Sequence, residues 1–446
     1  MNTTISNRNM LRIAIGIVLI VTASRSMAQT ARVISLEEAV ALSLQNSKQL
    51  KLSQKNVDLA ALNIKQIKEN QLPSLSVSAS YLRLNSPNID LKINRSGSDS
   101  TSGSAGSPEV HQVMYGMASA SLPIFSGFRF KYGLESARYL EQAAKLDAEF
   151  DRDAVIQNTV AAYSNLYKSR RAVELVSENL KREHERVVEF TNREKNGLLA
   201  RNDLMKAQLQ ESNVELALLD AENELKLTIV NMDLLLGLPE NTALEADPNS
   251  FITLKTEGQL AEWEQTALTH RKDITSNGIR QKAANIDIKT AKADWYPSVA
   301  LTAGYVALNI PGVAVIPNAM NAGIGVRYDI ASFWKTGAKI AQARTHVEQL
   351  KTSEEILADR IHLEVNTAYY NYVLSKRKID VYARAVEQAD ENYRITKNKF
   401  DNSLVTTTEL LDADVAQVQS KINFEAAKAD AIVAYKKLEQ TAGIIN

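Results

Sequence analysis

The residue types best able to do chemistry are few in this chain and do not cluster. The chain has no cysteine, which excludes disulfides, thiolate metal ligands and an acylated N-terminal cysteine. It contains no glycine-rich phosphate loop and no nucleophile motif. The five histidines lack the close spacing of metal ligands and suit solvated helix faces; they are His111, His184, His270, His346 and His362. We therefore predict no enzyme activity, no cofactor and no metal site.

Composition indicates long helices instead of a catalytic domain. Of 446 residues, 17 are glycine, 9 are proline and 6% are aromatic, whereas alanine, leucine, lysine, glutamate and glutamine are abundant. This profile is typical of long helices and coiled coils. The 52 basic and 52 acidic residues give a formal net charge of zero, so there is no electrostatic argument for nucleic-acid binding.

Residues 1–28 resemble a secretory signal peptide. Arg8 and Arg12 supply positive charge ahead of an apolar core at Ile13–Ala23, and Ser26–Ala28 offers small residues for cleavage. A retained anchor or a chance apolar run is the alternative. No later apolar run reaches 18 residues, so any part of the mature chain that crosses a membrane must consist of strands.

The rest of the chain consists of two copies of an internal sequence repeat. Offsets of 224 and then 206 align Leu36 with Leu260, Pro73 with Pro297, Tyr163 with Tyr369, and Gly237 with Gly443. The offset changes only between about residues 82 and 113, in one loop. Because packed helices cannot slip as loops can, this fidelity of length predicts two equivalent bundles, repeat 1 at 29–240 and repeat 2 at 241–446.

Each repeat switches from a helical period to strict alternation. In residues 74–81, serines alternate with Leu75, Val77, Ala79 and Tyr81. Residues 114–124, 299–305 and 322–330 alternate in the same way. Four strands of about ten residues with one apolar face suit a membrane-spanning sheet, and a soluble, half-buried sheet is the alternative.

The two ends of these strands differ in composition. At one end lie a Ser/Gly-rich loop at 95–107 and a shorter loop at about 306–320, which suit an extracellular face. Aromatic residues collect at the other end: Phe125, Phe128, Phe130, Trp295, Tyr296, Phe333 and Trp334. They resemble an interfacial girdle, although filling of the junction between sheet and helices explains them equally well.

Long helices follow the strands in both repeats. The pattern from about Gly127 to Lys195 contains no proline and corresponds to about 100 Å of helix. Apolar residues recur every seven positions, as at Leu166 and Val173, which favours coiled-coil packing. A turn at Asn196-Gly197 ends this helix, and a return helix begins near Asn202 and Asp203, either of which is suited to cap it.

Four strands cannot close a barrel, and an open sheet edge cannot stand in lipid. Because small membrane barrels begin at about eight strands, several chains must share one barrel. The order helix, strand, strand, long helix, tip and return helix, written twice behind a signal peptide, resembles the TolC-like outer-membrane efflux proteins over nearly the whole mature chain. Local marks of the resemblance are Leu72–Ser74, Tyr296–Ser298, Leu122–Phe128, Asn196–Leu204 and Asn402–Leu411.

This resemblance implies a mainly α protein with a transmembrane β part. Four strands per chain would form a shared, trimeric, twelve-stranded barrel that continues into a long periplasmic α-helical barrel. The implied function is the passive exit duct of a tripartite efflux or type I secretion system in the outer membrane of a Gram-negative bacterium. Its implied partners are two further copies, outer-membrane lipid, a periplasmic adaptor and an inner-membrane transporter, without nucleic acid. A structural coiled-coil or adaptor protein of the envelope is the alternative. The sequence does not identify the transported substrate.

The resemblance also places an acidic constriction at the periplasmic end. Two carboxylates after the second tip line the entrance in the family, and the matching residues here are Glu409 and Asp412. Spaced i,i+3, they share one helix face. Three copies would form two acidic rings that favour cations; a solvated helix face is the alternative.

The tips are the expected docking points for adaptor hairpins, with ordinary turns as the alternative; they are Gly197, Leu198, Ser403 and Leu404. Nearby, the tyrosine and arginine of the family's latch correspond to Phe400 and Val405, which cannot make its polar bonds. Asn202 and Asp203 match the partner side of that latch and are expected to make tip contacts. We expect the closed state to be held differently or more weakly.

Overall fold

The elements of the chain follow one another in the same order twice. In the computed structural model, which describes residues 32–85, 110–240, 242–251 and 258–445, the first series is β1 Arg32–Ile34, α1 Leu36–Asn46, α2 Lys48–Glu69, β2 Ser74–Arg83, β3 Gln112–Ser126, α3 Arg129–Lys195 and α4 Arg201–Leu236. The second is β4 Leu244–Ala246, α5 Leu260–His270, α6 Lys272–Lys292, β5 Ser298–Ile310, β6 Ala314–Arg327, α7 Ser332–Asp401 and α8 Thr407–Thr441. The predicted fold class, mainly α with four long strands, is confirmed. The predicted signal peptide and the Ser/Gly-rich loop lie outside the described residues.

The described residues form two compact units, and the boundaries between them fall inside α2, α3 and α7 and between α5 and α6. The helical unit comprises the described residues of Met1–Leu50, Asp151–Arg271 and Ile361–Asn446. The sheet unit comprises those of Lys51–Phe150 and Lys272–Arg360. Each unit takes parts of both repeats, so the domain boundaries at 29–240 and 241–446 stay predictions.

Helix ends in the helical unit follow local sequence signals. The Ser35 hydroxyl caps α1 by accepting the Glu38 N–H at 3.1 Å, as expected of an N-cap serine. At the end of α4, Gly237 has a φ of +67°, and the next N–H, of Leu238, donates to the Asp233 carbonyl at 2.9 Å. This is a glycine-dependent helix stop. Within the described ranges, none of the helices combines the length and the apolar character needed to cross a membrane.

A buried tyrosine joins the starts of the two repeats. Strands β1 and β4 pair in parallel, and Tyr163 of α3 is fully buried beside them. Its hydroxyl donates to the Ile34 carbonyl at 2.8 Å and accepts the Asp247 N–H at 2.9 Å. The ring stacks on Phe251 at 5.7 Å between centroids. These bonds satisfy backbone groups that burial would otherwise leave unpaired.

The sheet unit contains one antiparallel sheet in the order β2-β3-β5-β6. Its register places the predicted apolar residues in common rows across the strands, such as Leu75, Ala120, Ala303 and Ala322. The adjacent row holds Ser76, Ser119, Gly304 and Asn321. Because neighbouring residues of a strand point to opposite faces, one face is apolar. The other face carries the serines of β2, as the alternation predicts, together with Tyr115 and Met117 of β3.

One part of the strand prediction is wrong. Strand β5 extends to Ile310 and β6 begins at Ala314, so the predicted loop at about 306–320 is a turn of three residues. The register shifts between Val306 and Leu308, where β6 carries an extra residue beside Pro317. A bulge in an edge strand accommodates a proline that a central strand would exclude. Tyr328 and Ile330 lie beyond the end of β6.

The predicted aromatic residues do lie at one end of the sheet. The register pairs Phe125 with Val299 and Ser298 with Arg327, so the end of β3, the start of β5 and the end of β6 coincide. Phe128 packs edge-on against Phe125 and Tyr296, with centroids 5.2 and 5.8 Å apart. These contacts anchor the turn that leads from β3 into α3.

We predict that this turn depends on Gly127. Its φ is +62°, and a Cβ added there would lie 2.5 Å from the Ala293 carbonyl oxygen. Gly127→Ala should therefore lower the free energy of unfolding by about 1–3 kcal/mol. Gly133→Ala is the matched control, because nothing lies within 4 Å of its added Cβ inside α3, and it should stabilise by about 0.5–1 kcal/mol. Denaturant unfolding followed by circular dichroism measures both; equal effects would contradict the prediction.

Candidate functional site: the helix tips

Both helical tips of the helical unit end in the same turn. After α3, Gly197 has a φ of +72°, and the Leu198 N–H donates to the Arg193 carbonyl at 2.8 Å. After α7, Ser403 has a φ of +60°, and the Leu404 N–H donates to the Lys399 carbonyl at 2.8 Å. This is the Schellman geometry of a helix C-terminus.

Each turn presents a leucine to solvent. The exposed fraction is 77% for Leu198 and 73% for Leu404. In a Schellman turn the residue at this position commonly packs against the preceding helix, and burying such a leucine stabilises by about 1.5–3 kcal/mol. Both tips leave that contribution unused in the single chain. All four predicted tip residues thus lie at the turns, exposed.

An apolar cluster lies directly beneath the tips. Phe190 of α3 stacks on Phe400 of α7 with centroids 5.3 Å apart, and Ala207 and Leu410 complete the buried group. Val405 packs against it. The two positions where the family's latch carries a tyrosine and an arginine are therefore part of a hydrophobic contact, and they make none of the polar bonds of that latch.

The predicted tip contacts are only partly formed. The Asp203 carboxylate accepts a hydrogen bond from Lys206 at 3.3 Å, and the same ammonium group donates to the Thr408 hydroxyl at 3.3 Å. This bridge links the first turns of α4 and α8. Asn202 is exposed. The prediction that Asn202 or Asp203 caps α4 is wrong, because the N-cap is Ala200 and has no side-chain hydrogen bond.

Glu409 and Asp412 lie on the exposed face of α8. Leu410, which lies between them in sequence, and Asp414, which follows them, are buried. Glu409 also caps its own helix: its carboxylate accepts the Thr406 N–H at 2.8 Å, and the Thr406 hydroxyl accepts the Glu409 N–H at 3.3 Å. This reciprocal pair is a capping box. Within the described part of the chain, no group of three or more His, Asp or Glu side chains is arranged to hold a metal ion.

Sequence reasoning missed a buried charge network one to two turns away from the tip cluster. Glu183 and Arg186 of α3 meet Asp414 of α8, and all three are at most 7% exposed. Arg186 donates to Glu183 Oε1 at 2.6 Å, to Asp414 Oδ1 at 3.4 Å and to the hydroxyl of Tyr393, on α7, at 3.2 Å.

A signal for this network does exist in the sequence. Residues 155, 162, 169, 176, 183 and 190 form a seven-residue series on α3, and all are buried. Val155, Val176 and Phe190 are apolar, as such a seam requires, whereas Glu183 is an acid at a core position. A charge at a core position of a heptad series is the pattern that predicts a buried ion pair.

The return helix α4 and the long helix α7 carry a second set of apolar stripes, and these face solvent in the single chain. On α4, seven-residue steps connect Leu209 with Leu216 and Leu227 with Leu234. On α7, they connect Ile356, Leu363 and Tyr370. All of these side chains are more than half exposed. Such a seam indicates that another helix packs on it.

Comparison with known proteins identifies the family. Residues 39–238 and 263–444 match the model of the family described as outer membrane efflux protein, and the chain belongs to that family. The outer membrane efflux protein BepC of Brucella suis is 21% identical over 322 residues, which cover 72% of this chain and 70% of BepC. The prediction of an efflux protein located in the outer membrane of a Gram-negative bacterium, with a periplasmic extension, is thereby confirmed.

Solved structures share the fold. The outer membrane protein VceC of Vibrio cholerae superposes with a TM-score of 0.72 at 18% identity, over 92% of this chain and 96% of VceC. The CmeC outer membrane channel of Campylobacter jejuni gives a TM-score of 0.74 at 18% identity, over 92% of this chain and 85% of CmeC. At these identities the likeness establishes the fold and leaves the roles of individual residues as predictions.

Proposed function

We propose that the chain is the outer-membrane exit duct of a tripartite efflux or type I secretion system. It works passively, without catalysis, and an inner-membrane transporter drives the cargo through a periplasmic adaptor. The observation that carries this proposal is a four-stranded sheet with one apolar face and two open edges, in a chain of the outer membrane efflux protein family.

The sheet supports a homotrimer. Its apolar face is bare in the single chain: Val77 is 77% exposed and Met320 is 81% exposed, and lipid covers such a face well. Among the described strands, β2 pairs only with β3 and β6 only with β5. Because the four strands alternate in direction, β6 of one chain can add antiparallel to β2 of the next. Three chains then close twelve strands, with the face that carries the serines of β2 around the lumen.

The helices support the same assembly. The exposed seven-residue stripes of α4 and α7 are the surfaces on which helices of neighbouring chains would pack. One such leucine gains about 1.5–3 kcal/mol on full burial, so stripes along two long helices supply a large driving force. The helical part of the duct is then a barrel completed by three chains, as the sheet is.

We further propose that Glu409 and Asp412 line the periplasmic entrance. Both are exposed and lie i,i+3 on α8, close behind the second tip. Three copies form two rings of negative charge in a narrow passage, where weak solvent screening favours cations over anions. The capping box fixes the orientation of Glu409 through Thr406.

The tips are the docking points for the adaptor. Gly197 with Leu198, and Ser403 with Leu404, form two equivalent turns that each expose one leucine. A helical hairpin that buries both leucines recovers the hydrophobic contribution that the single chain leaves unused. Asn202 and Asp203 follow the first tip and provide polar groups at the margin of such a contact.

The entrance assignment predicts a loss of cation selectivity. In planar bilayers the purified protein should open ion-conducting channels, and Glu409→Gln with Asp412→Asn should reduce the cation preference several-fold, measured as the reversal potential in a salt gradient. Glutamine still completes the capping box, so the helix start is retained.

Thr406→Ala is the control for that measurement, because it removes the cap, at a cost of about 1 kcal/mol, and keeps both charges. Its selectivity should equal that of the wild type. Unchanged selectivity in the double variant would reject the acidic rings, and a wild-type protein that never conducts would reject the duct itself.

The tip assignment predicts a docking defect without a folding defect. Leu198→Lys with Leu404→Lys should change the stability by no more than about 0.5 kcal/mol, since both residues are exposed. In cells, it should lower the amount of adaptor chemically cross-linked to the protein at least tenfold. Val188→Lys, at a half-exposed apolar position of α3, is the matched control and should retain cross-linking. Equal capture by both variants would exclude the leucine tips as the docking site.

A further inference from the structure

The buried charge network beneath the tips joins three helices of the helical unit. Arg186 of α3 bonds to Glu183 on its own helix, to Asp414 on α8 and to Tyr393 on α7. Glu183 and Asp414 are fully buried. Ionised groups at such depth are stable only when every charge and every polar atom has a partner.

Two oxygen atoms in this network lack a donor. Glu183 Oε2 and Asp414 Oδ2 are both buried, and neither has a hydrogen-bond partner. An ionised carboxylate only accepts hydrogen bonds, so two ionised side chains cannot satisfy each other. A single proton would change this requirement, because a protonated carboxyl can donate to a neighbouring carboxylate.

The positive charges do not remove this requirement. Among the arginines of the described residues, only Arg186 is buried together with the two acids. Arg182 approaches Asp414, but its Nε lies 3.8 Å from Oδ1, beyond hydrogen-bond distance. Its side chain is 36% exposed as a whole, although Nε is buried and makes no hydrogen bond. The titratable or charged groups that contact the two acids or Arg186 are thus Arg182 on α3 and Tyr393 on α7.

The internal repeat does not carry these charges in both copies. The offset of 206 that aligns the two tips carries Glu183 to Ala389 and Arg186 to Asn392. In the reverse direction it carries Asp414 to Gln208. The equivalent positions are all neutral. The charged network therefore belongs to one side of the repeat.

We infer that Glu183 and Asp414 form a buried proton-binding site that fastens α8 to α3. With one proton shared between Glu183 Oε2 and Asp414 Oδ2, the network is closed. When the proton leaves for solvent, two like charges face each other in a buried site, and the repulsion loosens the start of α8. That start carries Glu409 and Asp412, so the consequence for the entrance rests on the proposed function: alkaline conditions open it and acidic conditions close it.

The acidity of Glu183 agrees with this geometry. Burial is the largest influence on the pKa of Glu183 and raises it. The positive charge of Arg186 lowers this pKa and Asp414 raises it, and the net result is an increase from 4.5 to about 7. A raised carboxyl pKa means that the folded state binds the proton more tightly than the unfolded chain does. The stabilisation is therefore complete below about pH 4.5 and is lost as the pH rises towards 7.

Hydrogen exchange of the full-length protein in detergent tests the inference. Amides of residues 407–420 are compared between pH 5 and pH 8.5 after correction for intrinsic exchange rates. In the wild type, protection of this segment should fall at least tenfold across the range, since one pKa unit corresponds to a tenfold change in the equilibrium.

Glu183→Gln stays neutral and can donate to Asp414, so the protection of residues 407–420 in this variant should be independent of pH. Glu185→Gln, an exposed acid two residues away, should behave as the wild type.

Asp414→Asn provides a second variant in case Glu183→Gln assembles poorly, and it too should flatten the profile. A flat wild-type profile, or a Glu183→Gln profile that follows the wild type, overturns the proton site. Channel recordings separate this from the proposed function. If the protein conducts and the exchange of Glu183→Gln depends on pH as in the wild type, the proposed duct is retained and the proton site is rejected. A pH-dependent wild-type segment in a protein that never conducts supports the site and rejects the duct.

Discussion

The unpaired edges of the four-stranded sheet are the constraint on which the rest of the molecule depends. Strands β2 and β6 each carry one row of backbone N–H and C=O groups without a partner strand in the described chain. In a membrane no water satisfies these groups, and each costs several kcal/mol. An outer-membrane chain with such a sheet must therefore find its missing strands on other copies of itself. Oligomerisation is in this sense a requirement of backbone hydrogen bonding.

The same requirement explains the helices. If three chains share one sheet, the helices that continue from it must stand side by side, and the exposed seven-residue stripes of α4 and α7 are the surfaces that such neighbours cover. The duplicated element order places equivalent helices at matching lengths, so both tips end in the same turn. The features to which we assign a function are departures from this equivalence. The acidic pair Glu409 and Asp412 and the buried network of Glu183 each occur on one side of the repeat.

Most of the fold could be predicted because period and alternation are local signals. The serine alternation predicted β2 and its apolar face, and Asn196-Gly197 predicted the end of α3. The errors arose where tertiary context decides: β6 accommodates Pro317 because it is an edge strand with a bulge, and α4 begins at Arg201 without a side-chain cap at Asn202 or Asp203. The tips were located correctly. Glu183 was missed because charge on a helix was interpreted as solvated, although its place in the buried heptad series marks it as core.

Cross-linking between the two sheet edges tests the central claim most directly. The chain contains no cysteine, so pairs introduced on β2 and β6, scanned from Ser76 and Ser78 against Asn321 and Gly323, report only the chosen contact. Within one chain these strands are three strand spacings apart, about 14 Å, which exceeds the Cα separation of about 7 Å that a disulfide allows. The account predicts that oxidation of at least one pair in membranes yields a covalent ladder that ends at the trimer. Monomer alone for every pair, with intact sheet structure, would contradict it.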